Sequence, residues 1–205
     1  MARTGRPRCF DRNDALEKAL LLFWVKGYES TSLAQLKACM GDISAPSFYA
    51  AFGSKEALFA EVLARYLATH GRVMDSLRDE QLAPREAVNR ALHNTARMQT
   101  ERDHPPGCLL ILSATTCPID SQALQKVLAD DRKRTWDGLR SCIQKAIDAG
   151  ELSSATEADA LATLFQTCIQ GLTIQAREGA DYSALGAVVD QVMRVWDYDA
   201  MNAQR

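Results

Sequence analysis

No run in this 205-residue chain approaches the roughly eighteen apolar residues of a membrane span. The basic opening Met1-Ala2-Arg3-Thr4-Gly5-Arg6-Pro7-Arg8 is not followed by an apolar stretch of signal length, so a cytosolic (cytoplasmic) protein with no membrane association is expected. The six cysteines, at 9, 39, 108, 117, 142 and 168, are scattered and form no Cys-x-x-Cys pair, which in a reducing compartment reads as free thiols. Histidine is scarce, with three in the chain, and the Cys and His residues lack metal-ligand spacing, so no metal and no cofactor are expected. Neither a glycine-rich phosphate loop nor an HExxH or GxSxG motif is present. An enzyme is therefore a remote alternative, resting only on a thiol nucleophile Cys108 with His104 nearby. Strand alternation and Asn-Gly hairpin signals are missing as well.

What is there is helix. Hydrophobic residues make up 47% of the chain, enough for a core. Leu16, Ala19, Leu20, Phe23 and Trp24 lie on one stripe of period 3.6, with Asp11 as the cap and Gly27 closing in the left-handed conformation. Short helices are expected over 32–40 and 45–51, and a longer one starts at Lys55. Pro84 opens another to about Arg102. The segment 103–107 is a break, and a short apolar helix follows over 108–116. Ser121 caps a helix to about Ala149, Thr156 caps one to about Glu178, and the last covers about 182–198. The fold class is all-α: a three-helix head and a body of about six helices, divided as residues 1–54 and 55–205.

Charge is unevenly spread. Residues 1–55 carry eight Lys/Arg against five Asp/Glu, and the remainder sixteen against twenty-one. A basic head on an acidic body suits a front end that meets phosphate. Three short helices with a tight turn between the second and third describe a helix-turn-helix, whose third helix offers its first residues to base edges in the major groove. Those residues are Ser44, Ala45, Pro46, Ser47 and Tyr49, with Phe48 and Phe52 facing inward. Thr31 and Ser32 open the second helix, where free N–H groups receive phosphate, and Lys55 adds a charge. Arg3, Arg6, Arg8 and Arg12 form an arm for the backbone or minor groove.

The stretches Gly27-Tyr28-Glu29-Ser30-Thr31-Ser32-Leu33 and Ser44-Ala45-Pro46-Ser47-Phe48-Tyr49-Ala50-Ala51-Phe52-Gly53-Ser54-Lys55-Glu56-Ala57-Leu58 resemble the N-terminal signature of the TetR family, as does Gly5-Arg6-Pro7-Arg8. The resemblance covers about the first quarter to third of the chain. It implies a repressor that binds a palindromic double-stranded operator as a homodimer and leaves it on binding a small-molecule effector. Thr31, Ser47, Tyr49 and Lys55 are the contacts carried over. Three departures stand out. The turn Met40-Gly41-Asp42-Ile43-Ser44 is one residue longer than usual in the family, with Asp42 as the insertion. Ala45 stands where Lys or Arg is common, and Ala51 where His is common.

In the family the last two helices pair with their copies in a four-helix bundle. That places Leu161, Phe165, Cys168, Leu172, Leu185, Val189, Val192 and Trp196 at the dimer interface. The helices over about 84–149 enclose the effector, with His93, Met98, Cys108, Leu112, Thr115, Trp136, Arg140, Phe165 and Gln166 as lining candidates. Cys108 begins a helix, where a thiol pKa falls. Some relatives that sense oxidants or electrophiles carry a Gly-Cys-Leu segment like Gly107-Cys108-Leu109. A redox- or electrophile-sensing repressor acting through Cys108 is thus the alternative, with Cys117 about 13 Å away by helical rise, too far for a disulfide without unwinding.

Overall fold

A computed structural model of the chain describes residues 10–116 and 121–203, less the side chains of Thr115 and Asn202. The described residues are helical with short connections, and no helix among them is long and apolar enough to cross a membrane. The head comprises α1 (Arg12–Lys26), α2 (Leu33–Cys39) and α3 (Ala45–Phe52). Each starts at a side-chain cap. Asp11 accepts from the amides of Asn13 and Asp14, Ser32 and Gln35 form a reciprocal capping box, and Ser44 accepts from the Ser47 amide. Gly27 ends α1 at φ +80°, but its ψ of 166° is extended, so the left-handed closure read from the sequence does not form. The lengthened turn places Gly41 at φ +91° and Asp42 at φ +59° in succession. Asp is one of the few residues that tolerates this region, so the inserted position fits the turn.

α4 (Lys55–Ala68) follows, capped by Ser54, and its Leu58, Phe59, Val62 and Leu63 complete the core of the head. A 3-10 segment, His70–Arg78, comes next, to which the sequence reading assigns no element of its own. It is tied down by tertiary contacts: Ser76 donates to the Ala87 carbonyl, and Leu77 sits against Gly138, where a Cβ would lie 3.2 Å from Leu77 Cβ.

The body contains α5 (Pro84–Thr100), α6 (Leu109–Thr116), α7 (Gln122–Asp148), α8 (Ala158–Arg177) and α9 (Tyr182–Ala203). α5 is central and packs on the 3-10 segment, α7, α8 and α9. Its inward stripe of Val88, Ala91, Leu92 and Ala96 is fully buried. Two starts differ from expectation. α7 begins after Ser121 without a side-chain cap bond, and α8 begins at Ala158 rather than at a Thr156 cap, because the Thr156 hydroxyl turns instead to Asp199.

Most of the interface residues expected on α8 and α9 lie in the chain's own core. Leu161, Phe165, Leu172, Leu185, Val189 and Trp196 are buried in the chain's own core, and Cys168 and Val192 pack at its edge. A side chain already enclosed by its own chain has little surface left for a partner. The outward apolar residues include Leu164 on α8 and Val188 and Val195 on α9, each about 40% exposed, with Ile174, Tyr198 and Met201 exposed further along the two helices.

Candidate nucleic-acid interface and effector cavity

The reading surface is built by burying one side of α3. Phe48 and Phe52 pack their rings 5.6 Å apart against the head, leaving Pro46, Ser47 and Tyr49 on the solvent side. Ala45 is half-buried beside them. Ser44 Oγ and Ser47 Oγ lie 2.8 Å apart. One hydroxyl donates to the other, so one of the two hydrogens remains for an external acceptor. Ser32 leads α2 with its hydroxyl exposed and its backbone amide on Gln35.

Two of the residues expected at DNA, Thr31 and Arg12, sit differently from expectation. Thr31 is fully buried, and its hydroxyl donates to the Gly27 carbonyl at 2.7 Å. It closes the α1–α2 corner and presents no side chain to solvent. Arg12 is not part of a free arm: its Nη2 donates to both carboxylate oxygens of Glu61 at 2.7 Å, its Nε donates to the Ala51 carbonyl, and its guanidinium lies over the Phe52 ring. Lys55 has its ammonium 4.4 Å from the centre of the Tyr28 ring, which holds it at the start of α4; burial lowers its pKa and Glu29 opposes that. Arg3, Arg6 and Arg8 lie outside the described residues.

Beneath the head, α4, the 3-10 segment, α5, the start of α6, α7 and α8 enclose a cavity of about 120 Å³. Met98, Cys108 and Gln166 of the expected lining are there. The others are elsewhere. His93 bridges Asp190 and Tyr182 between α5 and α9, Trp136 donates to Thr163, Arg140 pairs with Asp159, and Phe165 stacks on Trp196. Leu112 packs at the edge of the head core. The Thr115 side chain and Cys117 lie outside what is described.

Gln99 is the residue the sequence reading missed. It is fully buried, lines the cavity, and neither end of its amide has a hydrogen-bond partner. A signal for it exists: Thr95 and Gln99 continue the Val88-Ala91-Leu92 stripe as polar members of an apolar face. Asp131, Arg132, Thr135 and Gln170 add polar groups. Burial pushes the Asp131 carboxyl up, against the pull of Arg134, Arg78 and Arg132.

Cys108 touches the cavity, but its thiol is raised rather than lowered. Burial dominates, opposed by the Tyr66 hydroxyl that donates to Sγ at 3.3 Å and by the amides at the start of α6. The His104 ring does not turn to Cys108. It stacks on Trp24, ring centroids 4.5 Å apart, and its Nδ1 lies 2.9 Å from the Pro105 carbonyl.

Two family models match the chain. The family model described as "Bacterial regulatory proteins, tetR family" matches residues 15–62, and "Tetracyclin repressor-like, C-terminal domain" matches residues 84–192. The chain is 35% identical over 193 residues to the HTH-type transcriptional repressor ComR of Escherichia coli (strain K12), covering 94% of this chain and 91% of that one. It is 37% identical over 108 residues to the HTH-type transcriptional repressor BdcR of the same organism, covering 52% and 54%. Among solved structures, a cysteine mutant of the TetR family transcriptional regulator CifR, complexed with 26-bp double-strand operator DNA, superposes with a TM-score of 0.82. It is 41% identical, over 93% of this chain and all of that one.

Proposed function

The chain belongs to the TetR family of bacterial regulatory proteins, DNA-binding regulators rather than enzymes, and from that premise we propose a repressor that grips a palindromic operator as a homodimer and releases it when a small molecule occupies the cavity beneath the head. The observation that carries the DNA reading is the exposed first half of α3, where Pro46, Ser47 and Tyr49 stand on a rigid aromatic base. Pro46 offers apolar contact to a thymine methyl, Ser47 a hydroxyl to a base edge, and Tyr49 and Lys55 reach phosphate. The α2 N-terminus adds its free amides. Arg3, Arg6 and Arg8 supply further charge from the arm.

The dimer uses the outward stripe of α8 and α9. Leu164, Cys168 and Gly171 share one face of α8, and Val188, Val192 and Val195 one face of α9. A two-fold axis through these stripes covers exposed apolar surface and sets two reading heads for half-sites one DNA turn apart.

Gln99 supports the effector reading. A buried amide without partners costs about 1–3 kcal/mol per lost bond, a cost that makes sense if a ligand completes it. A cavity of about 150 Å³ is known to take a benzene ring, so the cavity of about 120 Å³ suits a small molecule. The raised thiol of Cys108 favours this non-covalent reading over an oxidant or electrophile sensor.

Selection of bound duplexes from a random-sequence pool tests the proposal. Enrichment of an inverted repeat with half-site centres about 10 bp apart is expected. A pool that stays unenriched contradicts it.

A further inference from the structure

A second cluster lies at the joint between head and body, where the loop after α5 stacks on Trp24 of α1. Glu101 ends α5, and Asp103 and His104 lie in the loop that leads to α6. The His104 side chain is 2% exposed, and its Nε2 has no hydrogen-bond partner. That nitrogen points at two carboxylates, 3.5 Å from Glu101 Oε2 and 3.8 Å from Asp103 Oδ1, and the three atoms lie within 4.8 Å of one another.

The ring's tautomer decides what these groups can hold. Nδ1 is 2.9 Å from the Pro105 carbonyl. A carbonyl oxygen only accepts, so Nδ1 carries the hydrogen, and in the neutral ring the Nε2 lone pair faces the carboxylates. A backbone carbonyl on the far nitrogen is the usual support of a metal-binding histidine. Tetrahedral ligands about 2.0–2.1 Å from zinc are about 3.3–3.5 Å apart, so a small rotation of the exposed Asp103 and Glu101 brings all three into register.

We propose that Glu101, Asp103 and His104 form a binding site for a zinc-like divalent cation. One imidazole nitrogen and two carboxylate oxygens are the protein ligands, and water completes the shell on the open side. The cation pins the end of α5 to the loop that stacks on Trp24, and so braces the contact between the reading head and the body.

The test uses tag-free, full-length protein, with Zn²⁺ followed by calorimetry and Co²⁺ by visible absorption. One ion per chain is expected, with cobalt ligand-field bands and no cobalt–thiolate band. Glu101→Gln and Asp103→Asn, both at exposed positions, leave thermal unfolding of the metal-free protein unchanged, and together they weaken binding at least about ten-fold. His104→Gln gives the same loss; should that variant unfold, the carboxylate pair decides. Three results overturn the proposal: no saturable binding by the wild-type chain, undiminished binding in the double variant, or a thiolate band assigning the ion to cysteine.

Discussion

Arg177, on the last turn of α8, donates to the main-chain carbonyl of Trp24 at 3.4 Å and to that of Val25 at 3.5 Å. The last carbonyls of α1 have no helical partners of their own, so a cation there satisfies them and complements the helix dipole. The body thus holds the end of the first head helix.

Gly107 permits this arrangement. It sits at φ +86°, and a Cβ on it would lie 3.1 Å from both Arg177 Cγ and the Thr173 carbonyl oxygen. Gly107→Ala therefore combines backbone strain with a clash against main chain, and a loss of about 2–4 kcal/mol is expected. Gly150→Ala is the control, since Gly150 has φ +74° and nothing within 4 Å, and only the strain of about 1–2 kcal/mol applies. Urea unfolding of the two variants measures the difference. Equal losses would show that the Gly107–Arg177 approach carries no weight.

Gln99→Met tests the cavity. The side chains are similar in length, and the change removes an amide that has no partner. Thermal stability is expected to stay level or rise, because an unpaired buried polar group is exchanged for an apolar one. Operator release by the effector, once found by screening, is expected to be lost. A fall in stability above about 1 kcal/mol would instead mark Gln99 as a structural amide.

Cys108 is predicted to alkylate slowly. Burial raises its thiol, so at neutral pH the thiolate fraction lies below that of a free cysteine, and its reaction rises toward completion only at a pH above the ordinary thiol range. Iodoacetamide labelling followed by mass spectrometry should show a rate at least about ten-fold below that of glutathione. Tyr66→Phe removes the hydroxyl that stabilises the thiolate, and slows it further. A Cys108 that outpaces glutathione would revive the sensor reading.

Much of the head was legible because its signals are local. Asp11, Ser32 and Ser44 cap the helices their side-chain chemistry suits, and the Phe48–Phe52 spacing places the exposed face of α3. The two faces of α8 and α9 were not separable in the sequence for a physical reason. α8 and α9 are apolar on two sides, and period 3.6 locates both stripes without saying which one meets the chain's own core. Leu161, Phe165 and Trp196 turned inward, and Leu164, Val188 and Val195 outward. The roles of His104, Arg177 and Thr31 depend on contacts across distant segments or on a corner's exact closure, which spacing does not carry. The 3-10 segment does carry an apolar stripe, Val73, Met74 and Leu77, and Ser76 and Leu77 dock it on α5 and α7; spacing alone does not tell its 3-10 winding from a continuation of α4.

The central claim, sequence-selective DNA reading by α3, is tested most directly by fluorescence anisotropy with the selected operator and a scrambled duplex of the same composition. The account predicts operator binding at least about 10³-fold tighter, with both affinities falling as salt rises. Tyr49→Ala and Lys55→Ala should weaken both duplexes alike, whereas Ser47→Ala should narrow the ratio between them. Equal affinity of the wild-type chain for operator and scrambled duplex would contradict it.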